Sequence, residues 1–221
     1  SLAAPSLGAN TGISAVAGTT LTLPATAIST GTGNINLRSN GGTLTTAANL
    51  TTSSGTITLA GSTGLTLNHT LTTTLSTGNG GSIALSSTSG AVNQTGGSLV
   101  IQGATQVTTS LANQSITLAQ ASNDFTGAVT LTTAANGNIS VRDANALNIG
   151  GINMGTTGFP GNGSLTLAVG TALTQSGVIN TGLGGVTINA TAANSDVNLA
   201  SFANAIRAAN ITFTTPANVR D

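Results

Sequence analysis

The same ordered series of short segments occurs twice in this chain, about 82 residues apart. Gly55-Thr56-Ile57 matches Gly137-Asn138-Ile139, Leu65-Thr66-Leu67 matches Leu147-Asn148-Ile149, and Gly81-Ser82-Ile83-Ala84-Leu85 matches Gly163-Ser164-Leu165-Thr166-Leu167, each at a separation of 82. Ala91-Val92-Asn93-Gln94-Thr95-Gly96 then matches Ala172-Leu173-Thr174-Gln175-Ser176-Gly177, and Ile116-Thr117-Leu118-Ala119 matches Val197-Asn198-Leu199-Ala200, both at 81. Residues 55–131 thus repeat as 137–213 with a single slip. Self-similarity at a fixed period indicates stacked units rather than one closed core.

The units are strands. A glycine or small residue followed by apolar–polar–apolar recurs as Gly33-Asn34-Ile35-Asn36-Leu37, Gly127-Ala128-Val129-Thr130-Leu131 and in the segments above. Alternation with period two, β-branched residues and flanking Gly or Asn is the strand signature. Asn40-Gly41, Asn79-Gly80, Asn136-Gly137 and Asn162-Gly163 mark turns, because both residue types tolerate positive φ. Ser201 to Asn210 comes nearest to a helical pattern and is short. The sequence therefore predicts an all-β chain: a right-handed parallel β-helix (β-solenoid) of about 20 residues per rung, with residues 1–221 as one segment. Such a rung puts about four rungs in the super-repeat and nine or ten in the chain, a rod on the order of 45 Å long. Ile, Leu and Val fill its interior, and Thr, Ser and Asn face outward or sit at turns.

The composition narrows what the rod can do. Gly, Thr, Ser and Asn account for 117 of 221 residues, while Lys, Glu, Cys, Trp and Tyr are absent. Four arginines (Arg38, Arg142, Arg207, Arg220) and four aspartates (Asp124, Asp143, Asp196, Asp221) carry all the charge. No basic face for nucleic acid can be built from four scattered arginines. Phe125, Phe159, Phe202 and Phe213 are too few for a base-stacking platform. No apolar run reaches the ~20 residues of a membrane helix, and aromatic girdles for a membrane barrel are lacking. Ser1 to Asn10 show no signal-peptide pattern, and a start at Ser1 suggests a processed chain or an excised segment.

Ser122-Asn123-Asp124-Phe125-Thr126-Gly127-Ala128-Val129-Thr130-Leu131, Asp143-Ala144-Asn145-Ala146-Leu147-Asn148-Ile149-Gly150 and Ala172-Leu173-Thr174-Gln175-Ser176-Gly177 resemble recurring phrases of large filamentous-haemagglutinin-like exoproteins of Gram-negative bacteria. The resemblance covers residues 30 to 215. It implies secretion by a two-partner or autotransporter route and a right-handed β-helical fold. The Asn-Pro-Asn-type secretion signature and the translocator barrel of that family have no counterpart here. By the resemblance, then, the chain is an interior piece of a longer passenger.

Motifs that carry chemistry are nearly absent. There is no G-x-S-x-G elbow, G-x-G-x-x-G, P-loop or H-E-x-x-H. His69, the single histidine, lies in the turn-like Leu67-Asn68-His69-Thr70 and reads as a solvated turn residue rather than a triad member. Glycoside hydrolysis needs two carboxylates some 5–10 Å apart. Asp124, Asp143 and Asp196 are the interior acids, and Asp143 next to Arg142 reads as an exposed ion pair or a turn cap. Paired glycines such as Gly41-Gly42 and Gly150-Gly151 lack the aspartates of a calcium-binding nonapeptide repeat. T-x-T segments beginning at Thr20, Thr43, Thr56, Thr130 and Thr212 stand at intervals that match no single rung, which argues against an ice-binding plane. Eight N-x-S/T sequons are about what composition alone gives. The expectation is no catalytic, cofactor or metal residues and no cofactor.

What remains is an almost uncharged surface. Hydroxyls and amides suit contacts with host or biofilm glycans, and low net charge favours end-to-end or lateral self-association. The expected function is a non-enzymatic, secreted or cell-surface adhesin stalk. The alternative is a self-assembling filament or matrix subunit. A polysaccharide-processing enzyme would need an acidic cleft built from Asp124, Asp143 or Asp196.

Overall fold

The computed structural model of the chain describes residues 10–76, 79–156, 159–192, 195–214 and 218–220. Ser1 to Ala9, part of the stretch read for a signal peptide, and Asp221 lie outside them. The chain winds as a β-solenoid of about 8 turns with about 23 residues each, and the described residues contain no helix. The segment Ser201 to Asn210 contributes only a bridge, between Asn180 and Ala205.

Each turn lays down three short strands, one per face. On the first face Ile13–Ala17, Ile35–Ser39, Ile57–Gly61, Ile83–Ser87, Thr105–Thr109 and Val129–Thr133 stack in parallel. The second face is a nine-stranded sheet running from Leu21–Thr22 to Ile211–Thr214. Its inward column is Leu21, Leu44, Leu65, Val92, Ile116, Ile139, Leu165, Val186 and Ile211, each in register with the next. The third face begins with Ile28–Thr30, Leu50–Thr52, Leu71–Thr73, Leu99–Ile101 and Asp124–Phe125. The ten-residue strand Leu147–Thr156 then runs straight through the corner between third and first faces, pairing Leu147 with Leu173 and Ile152 with Ile179. Two antiparallel hairpins, joining Leu75–Ser76 to Asn79–Gly80 and Gly155–Thr156 to Phe159–Pro160, depart from the winding.

A turn of about 23 residues, against the expected 20, follows from three corners and these hairpins added to three strands. It also changes the meaning of the 82-residue repeat. Ile57 lies on the first face, but its match Ile139 lies on the second. Likewise Leu65 of the second face matches Leu147, whose partner Leu173 belongs to the third. The repeat therefore advances three turns plus one face, not four rungs. Both hairpins sit at equivalent places within it, just before Gly81 and Gly163.

Burial alternates along most strands, as in Ile57–Gly61 and Leu165–Val169. The inward Ile, Leu and Val form one continuous core, with Phe125 its largest fully buried side chain. Removing this apolar area from water is the main favourable term. The opening glycine of the recurrent segment has a packing reason. A Cβ on Gly55 would stand 2.3 Å from the Gly33 carbonyl oxygen, and one on Gly127 2.2 Å from that of Gly103, so stacked corners exclude any side chain.

Not all hydroxyls face out. Thr30, Thr52 and Thr73 stack inside the corner between third and first faces, where Thr30 Oγ1 donates to Gly33 O at 2.6 Å and Thr52 Oγ1 to Gly31 O at 3.0 Å. Thr109 and Thr133 do the same at the next corner, to Gln114 O and Gly137 O. A buried turn carbonyl needs a partner, and a short inward hydroxyl supplies it without disturbing the strand. Asparagines serve the outer side of corners: Asn34 Oδ1 accepts from Thr56 N at 2.8 Å and Asn138 Oδ1 from Ser164 N at 2.9 Å.

Candidate functional site

The three faces present the surface chemistry in columns. One residue beyond the inward column of the second face, Thr22, Thr45, Thr66, Asn93, Thr117, Ser140, Thr166, Thr187 and Thr212 form an outward ladder through nine strands. The T-x-T segments divide between faces, with those at Thr20, Thr43 and Thr212 on the second and those at Thr56 and Thr130 on the first. On the first face a mixed column runs Arg38, Ala60, Ser86, Thr108, Thr132, Asn153 and Asn180. Arg38 Nε donates to Asn40 Oδ1 at 2.6 Å.

The acids do not gather into one cleft. Strand alternation in Ile139–Asp143 turns Arg142 outward and Asp143 inward, so Asp143 is buried and the exposed ion-pair reading does not hold. Its turn-cap reading does. Oδ1 accepts from Asn145 N at 2.7 Å and Oδ2 from Phe125 N at 3.1 Å, tying the third-face strand Asp124–Phe125 to the next turn. Burial pushes its pKa up to about 6, the two backbone donors work against that, and the charge of Asp124 adds to the rise. Asp196 lies on a different strand, Asp196–Asn198, opposite Asn218. His69 is half-buried, with Nδ1 3.0 Å from Thr46 O and 2.5 Å from Asn68 Oδ1. Among the described residues no three His, Cys, Asp or Glu side chains cluster as metal ligands.

Sequence reasoning passed over two networks of side-chain amides. Buried Asn123 and Gln94 exchange two hydrogen bonds at 2.8 Å, and Asn123 also donates to Leu118 O and accepts from Leu99 N. Asn204 and Gln175 repeat the arrangement with Leu199 O and Ile179 N. Gln94 and Gln175 stand at equivalent positions of the internal repeat, as do Asn123 and Asn204, both pairs 81 residues apart. That coincidence was the available signal.

A concave stretch interrupts the first face near Thr132 and Asn153. It consists of two adjoining depressions of about 450 and 360 Å³ that share Thr132, Asn153 and Gly155.

Residues 64–132 match a family described as repeats of unknown function, DUF5649. This segment holds the whole Gln94–Asn123 network, and its 82-residue echo, 146–214, holds the Gln175–Asn204 network. No curated protein matches the chain, and no solved structure does.

Proposed function

We propose that the chain is part of the shaft of a non-enzymatic adhesin, displayed outside a Gram-negative cell and similar to the filamentous-haemagglutinin-like exoproteins. The observation that carries this reading is the combination of stiffness and neutrality. About eight turns are stitched by three parallel sheets around one continuous aliphatic core, while the outward columns are mostly hydroxyls and amides. Such a rod resists local opening, because each strand is hydrogen-bonded to turns above and below. Its faces offer many weak polar contacts, which a multivalent surface array adds together. Among the described residues no helix is long and apolar enough to cross a membrane. Beads coated with the chain should adhere to target cells or biofilm above the level of beads coated with an unrelated β protein. Equal adhesion of both would overturn the reading.

A filament or matrix subunit is the second reading, supported by the near absence of charge, which removes the repulsion that keeps ordinary proteins apart. Electron microscopy over a range of concentrations separates the two, since ordered filaments with a ~4.8 Å axial repeat support assembly and discrete short rods support the shaft.

A further inference from the structure

The depression on the first face lies where the winding loses its regularity. Val129 pairs with Ile149 but Thr130 pairs with Gly151, so Gly150 is an extra residue and the strand bulges. Gly151 and Gly155 follow at φ of 157° and 103°, conformations that L side chains rarely adopt. Bulges commonly re-aim the chain beside binding sites, and bare glycines let a ligand approach the backbone. Beyond the bulge the first face narrows to the two-residue strand Ile179–Asn180. The result is a trough along the column Thr108, Thr132, Asn153 and Asn180, roughly 14 Å over three strand spacings.

Its polar groups are set in a fixed order. Arg207 Nη1 donates to Asn180 Oδ1 at 2.9 Å, and Asn180 Nδ2 donates to Asn153 Oδ1 at 3.3 Å. This uses the Asn153 Oδ1 and leaves its amide nitrogen without a hydrogen bond among the described residues, on an exposed side chain that lines both depressions. Thr108, Thr130 and Thr132 line it with hydroxyls that make no hydrogen bond among the described residues. Val178, 47% exposed, adds apolar contact surface, as do Ala134 and Ala135 in the adjoining depression. No charged side chain lines either depression, and the Arg207 guanidinium is linked to them only through its hydrogen bond to Asn180. The volumes fall in the range of small-ligand sites.

We propose that this trough binds a short stretch of neutral polysaccharide. Hydroxyls that both donate and accept match sugar hydroxyls, Val178 meets the C–H side of a ring, and no charged side chain lines the depressions to select an anionic sugar. The assignment rests on the attachment reading above and names where and what the shaft would hold.

The test is titration of the full chain with neutral hexasaccharides (maltohexaose, cellohexaose, xylohexaose and mannohexaose) and with anionic hexagalacturonate. It is repeated on the Thr132→Val/Asn153→Ala double variant and on Thr166→Val/Thr187→Val from the second face, with thermal melts to confirm that all are folded. Binding of a neutral hexasaccharide that is at least tenfold weaker in the first variant and unchanged in the second supports the trough. Equal binding by both variants, a loss confined to the second-face variant, or binding of hexagalacturonate alone overturns it. If no oligosaccharide binds while coated beads still adhere, the trough is wrong and the attachment reading stands. If neither occurs, both fall.

Discussion

The side-chain amides of Gln94 and Asn123 face each other across adjacent turns, each donating to the other at 2.8 Å. With Leu118 O and Leu99 N, Asn123 has both its oxygen and its nitrogen doubly engaged inside the protein. Asn123→Ala strands the Gln94 amide in a buried site, a loss of about 1–3 kcal/mol. In a solenoid the effect is local, so hydrogen exchange should accelerate around Leu99 and Leu118 more than near Leu165. Asn204, only half-buried, should cost less on the same substitution. Equal effects at both sites would show that burial does not set the energy.

Asp143 makes stability depend on pH in a defined direction. Its carboxyl titrates at about 6 when folded, against 3.8 as the ordinary value, so the folded chain holds the proton more tightly. Stability from this group is full below about pH 4 and is lost as pH rises through about 6. The loss is about 1–3 kcal/mol. Thermal melts from pH 4 to 7 should show a falling midpoint, and Asp143→Asn should flatten that slope. A slope that survives the substitution assigns the titration elsewhere.

Glycine at the stacked corner is a steric requirement. Gly127→Ala would drive a methyl to within 2.2 Å of the Gly103 carbonyl oxygen, and the backbone cannot yield without parting two turns. Gly18→Ala meets nothing within 4 Å. The first should lower the urea midpoint clearly and the second should leave it nearly unchanged. A tolerated Gly127→Ala would mean that the corner can spread.

Phe125 and Phe202 separate core from surface. Phe125 is fully buried and Phe202 is 41% exposed. Phe125→Ala should cost about 3–5 kcal/mol, whereas Phe202→Ala should stay within about 0.5 kcal/mol. Chemical denaturation of the two variants side by side checks both values.

Period-two alternation, recurrent glycines and the 82-residue echo determined by themselves that this chain is a stack of short strands around an aliphatic core. These are local signals, since each strand's inward and outward residues are written in its own few positions. The length of a turn was not legible, because corners and hairpins add residues that carry no periodic mark. Nor was the rotation of the repeat by one face. Sequence separation counts residues, and only the winding converts them into an angle. The burial of Asp143 turned on one position of parity after Arg142, and the inward threonines at the corners on which turn carbonyls needed a donor. The trough was beyond the sequence altogether. It exists because Gly150 slips the register of one strand against Val129 and Thr130, so that Thr132, Asn153 and Asn180 from three successive turns line one concave column.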